Sequence, residues 1–270
     1  MIVISSGFQG SEYPLTHGRV CWNWYRDGTV SSAGAAGFPQ VNALPPRTDT
    51  AWRPASLPAT WTSTFPDARD ISFIGIAKHD LGTQNATINI QYRVGGVTQS
   101  FPGAGALTPQ DDNPILLLTV PTAADLISIT VTSADSEPTI SVIMIGLADE
   151  WPQPFTWPGR PITEGDQIRF ENTIAVNGNW LGRSVASDGL GFELQMDHAS
   201  EEWRQTKLKA FKAYANGNDA AFFIAPRPND YPEEVSYAWA TSVVTGGRSM
   251  PNKSVSTSVT LSCQGLRPYV

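Results

Sequence analysis

Apolar and polar residues alternate with period 2 in one short run after another between residues 52 and 147, and few architectures satisfy that pattern. The runs fall at 71–77, 86–94, 115–120, 126–132 and 139–147, with shorter ones at 52–54 and 61–64. Within 87–93, Ile88, Ile90 and Tyr92 share one side and polar residues take the other. Successive side chains of a strand point to opposite faces, so each such run has one dry and one wet face. Gly95-Gly96 supplies residues suited to a tight hairpin turn between two of them. The spacing predicts a mainly β chain built on an antiparallel β-sandwich of about eight strands.

Composition agrees with that reading and narrows the function classes. Charged residues are 16% of the chain, while Gly (23) and Pro (21) are abundant, as expected for many strands joined by tight turns. The net charge is −7 and there is no Lys/Arg run, so specific nucleic-acid binding is not expected, nor docking on an anionic membrane. No segment reaches the ~20 apolar residues of a membrane-crossing helix, and no membrane insertion is expected. The first ten residues lack the basic start and long apolar run of a signal peptide.

A chain of 270 residues accommodates two domains. Residues 1–150 read as the β-sandwich, with Ile2, Val3 and Ile4 in a first strand and residues 20–25 in a second. The Gly/Ala/Pro-rich stretch 31–46 reads as an ordered loop over the sandwich, with Phe38, Val41 and Leu44 to bury. Residues 151–167 form a Pro-rich connection, and residues 168–270 a second β unit. That unit contains a helix at 200–215. Ser200 can cap it, Glu201 and Glu202 suit its positive end, and Asn216-Gly217 can stop it. Trp203, Leu208, Phe211, Tyr214 and Ala215 form its apolar stripe.

Motifs that carry chemistry are scarce. There is no GxSxG, HExxH or phosphate-binding loop, and His17, His79 and His198 lie far apart. His79 follows a strand within Lys78-His79-Asp80 and is expected on a loop. Asp111-Asp112-Asn113 and Asp149-Glu150 could offer oxygen ligands but lack the spacing of a calcium loop. Neither an enzyme nor a metal or other cofactor is therefore expected. Cys21 and Cys263 show no metal spacing and read as buried thiols, their pairing left open. Trp22, Trp24 and Tyr25 crowd one strand: they can stack on pyranose rings, or pack against the N-terminal loop or a neighbouring subunit. With His79 they are the candidate ligand or subunit contacts.

Two stretches carry a family resemblance, together spanning roughly residues 50–265. The first comprises Trp52-Arg53-Pro54, Leu57-Pro58-Ala59-Thr60-Trp61 and Ile74-Gly75-Ile76-Ala77-Lys78-His79-Asp80-Leu81-Gly82. It resembles the galactose-binding-like (discoidin-type, jelly-roll) sandwich of bacteriophage virion proteins. The second comprises Leu181-Gly182-Arg183-Ser184, Glu202-Trp203, Phe222-Phe223-Ile224-Ala225, Arg227-Pro228, Tyr231-Pro232-Glu233-Glu234 and Tyr237-Ala238-Trp239. It resembles the tail-tube-related domain of siphophage distal tail and minor tail proteins. The resemblance implies a structural protein made in the host cytoplasm and placed in the virion, at the distal end of the tail. There it would form a homo-oligomeric ring, commonly a hexamer, touching the tail tube, the tape-measure protein and the baseplate hub. Distal tail proteins carry their extra sandwich after the tube-like domain, whereas here it comes first, which leaves other baseplate or tail-tip roles open. The alternative is a receptor- or carbohydrate-binding tail protein that contacts a host surface glycan.

Overall fold

The computed structural model describes residues 1–156, 162, 165–176, 179–242, 245–249 and 256–266. The chain is mainly antiparallel β. Its first part runs β1 (Ile2–Ile4), β2 (Arg19–Trp24), β3 (Thr29–Ser31), β4 (Ala59–His79), β5 (Thr87–Val94), β6 (Val97–Ser100), β7 (Ile115–Ser133) and β8 (Ile140–Glu150). After it come β9 (Asp166–Ile174), β10 (Trp180–Ala199), the helix α1 (residues 201–215), β11 (Ala221–Ala225), β12 (Ser236–Ala240), β13 (Thr245–Ser249) and β14 (Ser256–Gly265).

Two strands are longer than the alternation suggests. The runs expected at 61–64 and 71–77 are one bent strand, β4, and those at 115–120 and 126–132 are one bent strand, β7. The β4–β7 ladder shifts register between Thr64 and Arg69, where Pro66 lies, and again between Ile71 and Phe73, opposite Pro121. A proline donates no ladder hydrogen bond and is tolerated where pairing is interrupted. The strands turn a corner there, so each serves two layers. One layer holds β6, β5 and β3 with one half of β4 and β7; the other holds β1 and β8 with the other half. Residues 52–54 make only isolated bridges, Trp52 to Ile140 and Pro54 to Gly34.

Between the layers lies a core of Trp52, Trp61, Ile74, Ile76, Ile88, Ile90, Leu117, Ile129 and Ile143, all fully or almost fully buried. The loop before β4 closes it through Ala43 and Leu44, and the Trp61 indole donates to the Gln40 carbonyl at 3.1 Å. Val41, expected inside, is 49% exposed. The second layer is buried on its far face as well, because Phe73, Ala77, Leu116, Val142 and Met144 point away from that core. They are covered by Phe8 and Leu15 of the N-terminal loop and by Phe223, Val235 and Tyr237.

The sheet does not stop at the sandwich. From β8 it continues through β2, β11, β12, β14 and β10 to β9. β2 joins the two parts: Asn23 pairs with Leu147 of β8, while Val20 and Cys21 pair with Ile224 and Phe223 of β11. The two cysteines are free and buried, in separate cores.

α1 packs Trp203, Leu208, Phe211 and Ala215 onto Leu194, Met196, Phe222, Ile224, Ala238 and Leu261. Trp151 and Phe155 of the Pro-rich connection enter the same core, whereas Trp157 lies outside the described residues. Ser200 caps the helix as expected, its hydroxyl accepting from the Trp203 amide at 3.1 Å. A π-helical turn at Arg204–Leu208 was not expected. It explains why Trp203 and Leu208, five apart, share one stripe: the wider turn returns a side chain to the same face after five residues.

β9 and part of β10 form an arm. Leu190 to Ala199 of β10 pair with β14, whereas Trp180 to Gly189 pair with β9. Ile174, Val176, Trp180, Leu181 and Val185 on this arm are exposed, Trp180 by 66%.

Gly75 decides how the two parts meet. A Cβ at this position would collide with the Phe223 ring, which lies tilted against Tyr237 with centroids 5.0 Å apart. Overpacking a well-packed core costs about 1–3 kcal/mol. Gly75→Ala is therefore expected to lower the unfolding free energy measured in urea by that much, and adding Phe223→Leu to recover part of it; an unchanged free energy for Gly75→Ala would refute the contact's importance.

Candidate functional site

The end of β4 and the turn after it build a recess. Lys78 holds a φ of 50°, a left-handed backbone that a residue with a Cβ rarely adopts, and Asn85 holds 48°. His79 is not on a loop: it ends β4 and is 4% exposed. Its Nδ1 accepts from the Leu81 amide at 3.3 Å, which leaves Nε2 to donate to the Asn113 carbonyl at 2.9 Å. The first bond holds the turn after β4, and the second ties the 111–113 loop to the strand. Gly82 permits the approach, since a Cβ there would strike the backbone of Asp111. Asp112 then accepts from the Thr83 amide at 3.0 Å and hydroxyl at 2.6 Å, and Asp80 accepts from the Thr139 amide at 2.6 Å. The resulting recess of about 420 Å³ is lined by Lys78, Asp80, Thr83, Asp112, Thr139 and Ser141 beside His79. Burial raises the Asp80 carboxyl against the hydrogen bonds it accepts.

Burial lowers the His79 imidazole to about 4, opposing the Asn113 hydrogen bond and the nearby Asp112 and Asp111 charges. The folded state thus binds this proton less readily than the unfolded chain does. The stabilisation is complete above pH 6.5 and is lost as the pH falls toward 4. Between pH 7.5 and 5 the loss is about 2 kcal/mol, which a His79→Gln variant should not show in urea titrations at the two pH values. Equal slopes for both proteins would place the titration elsewhere.

Of the other candidate contacts, two come together. The Trp22 indole donates to Asp149, and its ring lies 5.3 Å from Tyr214 and 6.1 Å from Phe211. The Trp24 indole donates to the Tyr214 hydroxyl at 3.3 Å, and Arg26 stacks on Trp24 at 4.6 Å. Burial raises the Asp149 carboxyl despite the Trp22 bond and Lys207 at 3.7 Å. Tyr25 sits apart, its hydroxyl donating to the Asp70 carbonyl at 2.7 Å and its ring edge-on to Phe65. All three aromatics are half-buried by the chain's own side chains. His79 shares no ring contact or hydrogen bond with them among the described residues.

The acidic pairs have local duties. Asp111 accepts from the amide and side chain of Asn113. Burial acts to raise the Glu150 carboxyl, but donation from Tyr13, Ser11 and Glu12 outweighs it and holds the group below its usual value. Arg19, fully buried, lies 3.5 Å from Glu150 and donates to the Tyr13 carbonyl. Among the described residues no cluster of three His, Cys, Asp or Glu is arranged to hold a metal ion. The recess was missed in the sequence because its polar residues come from three separated segments that only the fold brings together.

No protein-family profile and no curated protein matches the chain. Solved structures do show similarity. The family 32 carbohydrate-binding module of C. perfringens NanJ, solved with galactose, is 17% identical over 47% of this chain and 98% of the module, with a TM-score of 0.40. A pectin-binding carbohydrate-binding module is 21% identical over 44% of this chain and 89% of that one, with a TM-score of 0.38. SpGH29 is 19% identical over 45% of this chain, with a TM-score of 0.39, and this match spans 27% of that protein's length. Each match thus covers less than half of this chain.

Proposed function

We propose that the chain is a non-catalytic binding protein that takes a carbohydrate at the recess beside β4. The observation that carries this reading is the lining of that recess: two carboxylates, an ammonium group and three hydroxyls beside the His79 ring. Such a lining complements a ligand rich in hydroxyl groups, which donate to Asp80 and Asp112 and exchange hydrogen bonds with Thr83, Thr139 and Ser141. Hydrogen bonds to a charged partner are the stronger kind. A glycan array followed by calorimetry on the best binder tests this. Asp80→Asn and Asp112→Asn are each expected to weaken binding about tenfold. No glycan bound, or binding indifferent to both substitutions, would exclude the recess as the site.

A second reading is assembly: a structural virion protein of a bacteriophage tail, in a self-associated ring at the distal end, against tube, tape-measure and hub proteins. The β9–β10 arm favours it. A two-stranded ribbon is marginally stable alone, unpaired strand edges recruit other chains, and clustered exposed apolar side chains mark contact surfaces. The expected outcome is an oligomer by light scattering that dissociates in a Trp180→Ser, Leu181→Ser double variant. A wild-type protein monomeric at high concentration would count against the ring.

A further inference from the structure

The recess beside β4 carries an excess of negative charge. Its walls come from three segments: the end of β4 and the turn after it (Lys78, His79, Asp80, Thr83), the loop before β7 (Asp112) and the start of β8 (Thr139, Ser141). Lys78 offsets only one of the two carboxylates. The His79 imidazole, lowered to about 4 by burial, adds no positive charge at neutral pH. Burial is the main cause of the raised Asp80 carboxyl, and the negative charge of Asp112 pushes it the same way, so the two half-buried carboxylates interact across the recess. Asp112 is fixed by Thr83, whose amide and hydroxyl each reach one of its oxygens, and the Thr139 amide reaches one oxygen of Asp80. A carboxylate accepts roughly four hydrogen bonds, so both keep capacity for a ligand.

We propose that this recess selects an amino sugar, a pyranose with a protonated amine, whose ammonium group sits between Asp80 and Asp112 and whose hydroxyls meet Thr83, Thr139 and Ser141. The inference rests on the carbohydrate reading and narrows it. Two like charges in a half-buried site repel, and each also loses hydration. An ammonium group between them turns repulsion into attraction and supplies charge-assisted hydrogen bonds in place of water. A neutral hydroxyl donates to one carboxylate but leaves the repulsion in place. The ammonium carries three donors, enough for both carboxylates and one neighbouring hydroxyl. A sugar acid would add a further negative charge and is disfavoured. A bare alkylamine would satisfy the carboxylates but use none of the ring-facing hydroxyl capacity of Thr139 and Ser141, so the sugar ring is part of what is recognised.

The test is calorimetric titration of the full chain at about pH 6.5, where the amine is charged, with methyl β-glucosaminide, methyl β-glucoside and methyl N-acetyl-β-glucosaminide. Ethanolamine serves as the control without a ring. The glucosaminide is expected to bind about tenfold more tightly than the other three, with the preference shrinking as salt is added. Asp80→Asn should reduce its affinity to that of the glucoside. Because that variant could also loosen the Thr139 contact, a second one tests the charge by a gain: Lys78→Gln should tighten the glucosaminide and leave the glucoside unchanged. Equal binding of the three glycosides would overturn the selectivity while leaving the carbohydrate reading intact. Ethanolamine binding as tightly as the glucosaminide would overturn recognition of the ring, and no glycoside bound would overturn both readings of the recess.

Discussion

The packing of Phe223 into the space above Gly75 is the contact on which the rest of the structure depends. Both faces of the second sandwich layer are apolar, so that layer cannot stand against water. Its far face is dry only because β11 and β12 bring Phe223 and Tyr237 over it, and the ring fits only because position 75 lacks a side chain. The sheet that curls from β8 through β2 into β11 is the covalent and hydrogen-bonded route by which those rings arrive. Apolar burial drives the contact, and backbone pairing sets its register.

Much of the local structure was legible in the residues. The alternation of Ile88, Ile90 and Tyr92, the Gly95-Gly96 turn and the Ser200 cap all act over a few residues, and each is found in place. What could not be read depends on distant partners. The corners in β4 and β7 looked like strand ends because Pro66 and Pro121 break the alternation, whereas the strands continue through them. His79 looked like a loop residue because its distant partner, Asn113, belongs to a segment whose approach Gly82 permits. Trp22, Trp24 and Tyr25 crowd one strand, but which neighbours each would meet was not legible: Trp22 and Trp24 meet Tyr214, and Tyr25 meets Phe65.

Polar residues here mostly organise loops. Glu150 gathers three consecutive backbone amides of the N-terminal segment, and Arg19 closes the same loop from beneath through the Tyr13 carbonyl. Buried charges satisfied this way orient a segment more than they stabilise it. The segment so held carries Phe8 and Leu15 onto the sandwich, so an ionic anchor governs an apolar lid.

The position of β2 has a consequence for the order in which the molecule is made. Residues 19–24 leave the ribosome before either of their partners, so one edge must await β8 and the other β11. Until residues 221–225 emerge, a finished sandwich presents an open strand edge bordered by Trp22 and Trp24. Such an edge recruits any available strand, including one from a neighbouring nascent chain. Closure of the native fold is therefore a race between the chain's own β11 and its neighbours, and crowding on a polysome favours the wrong winner.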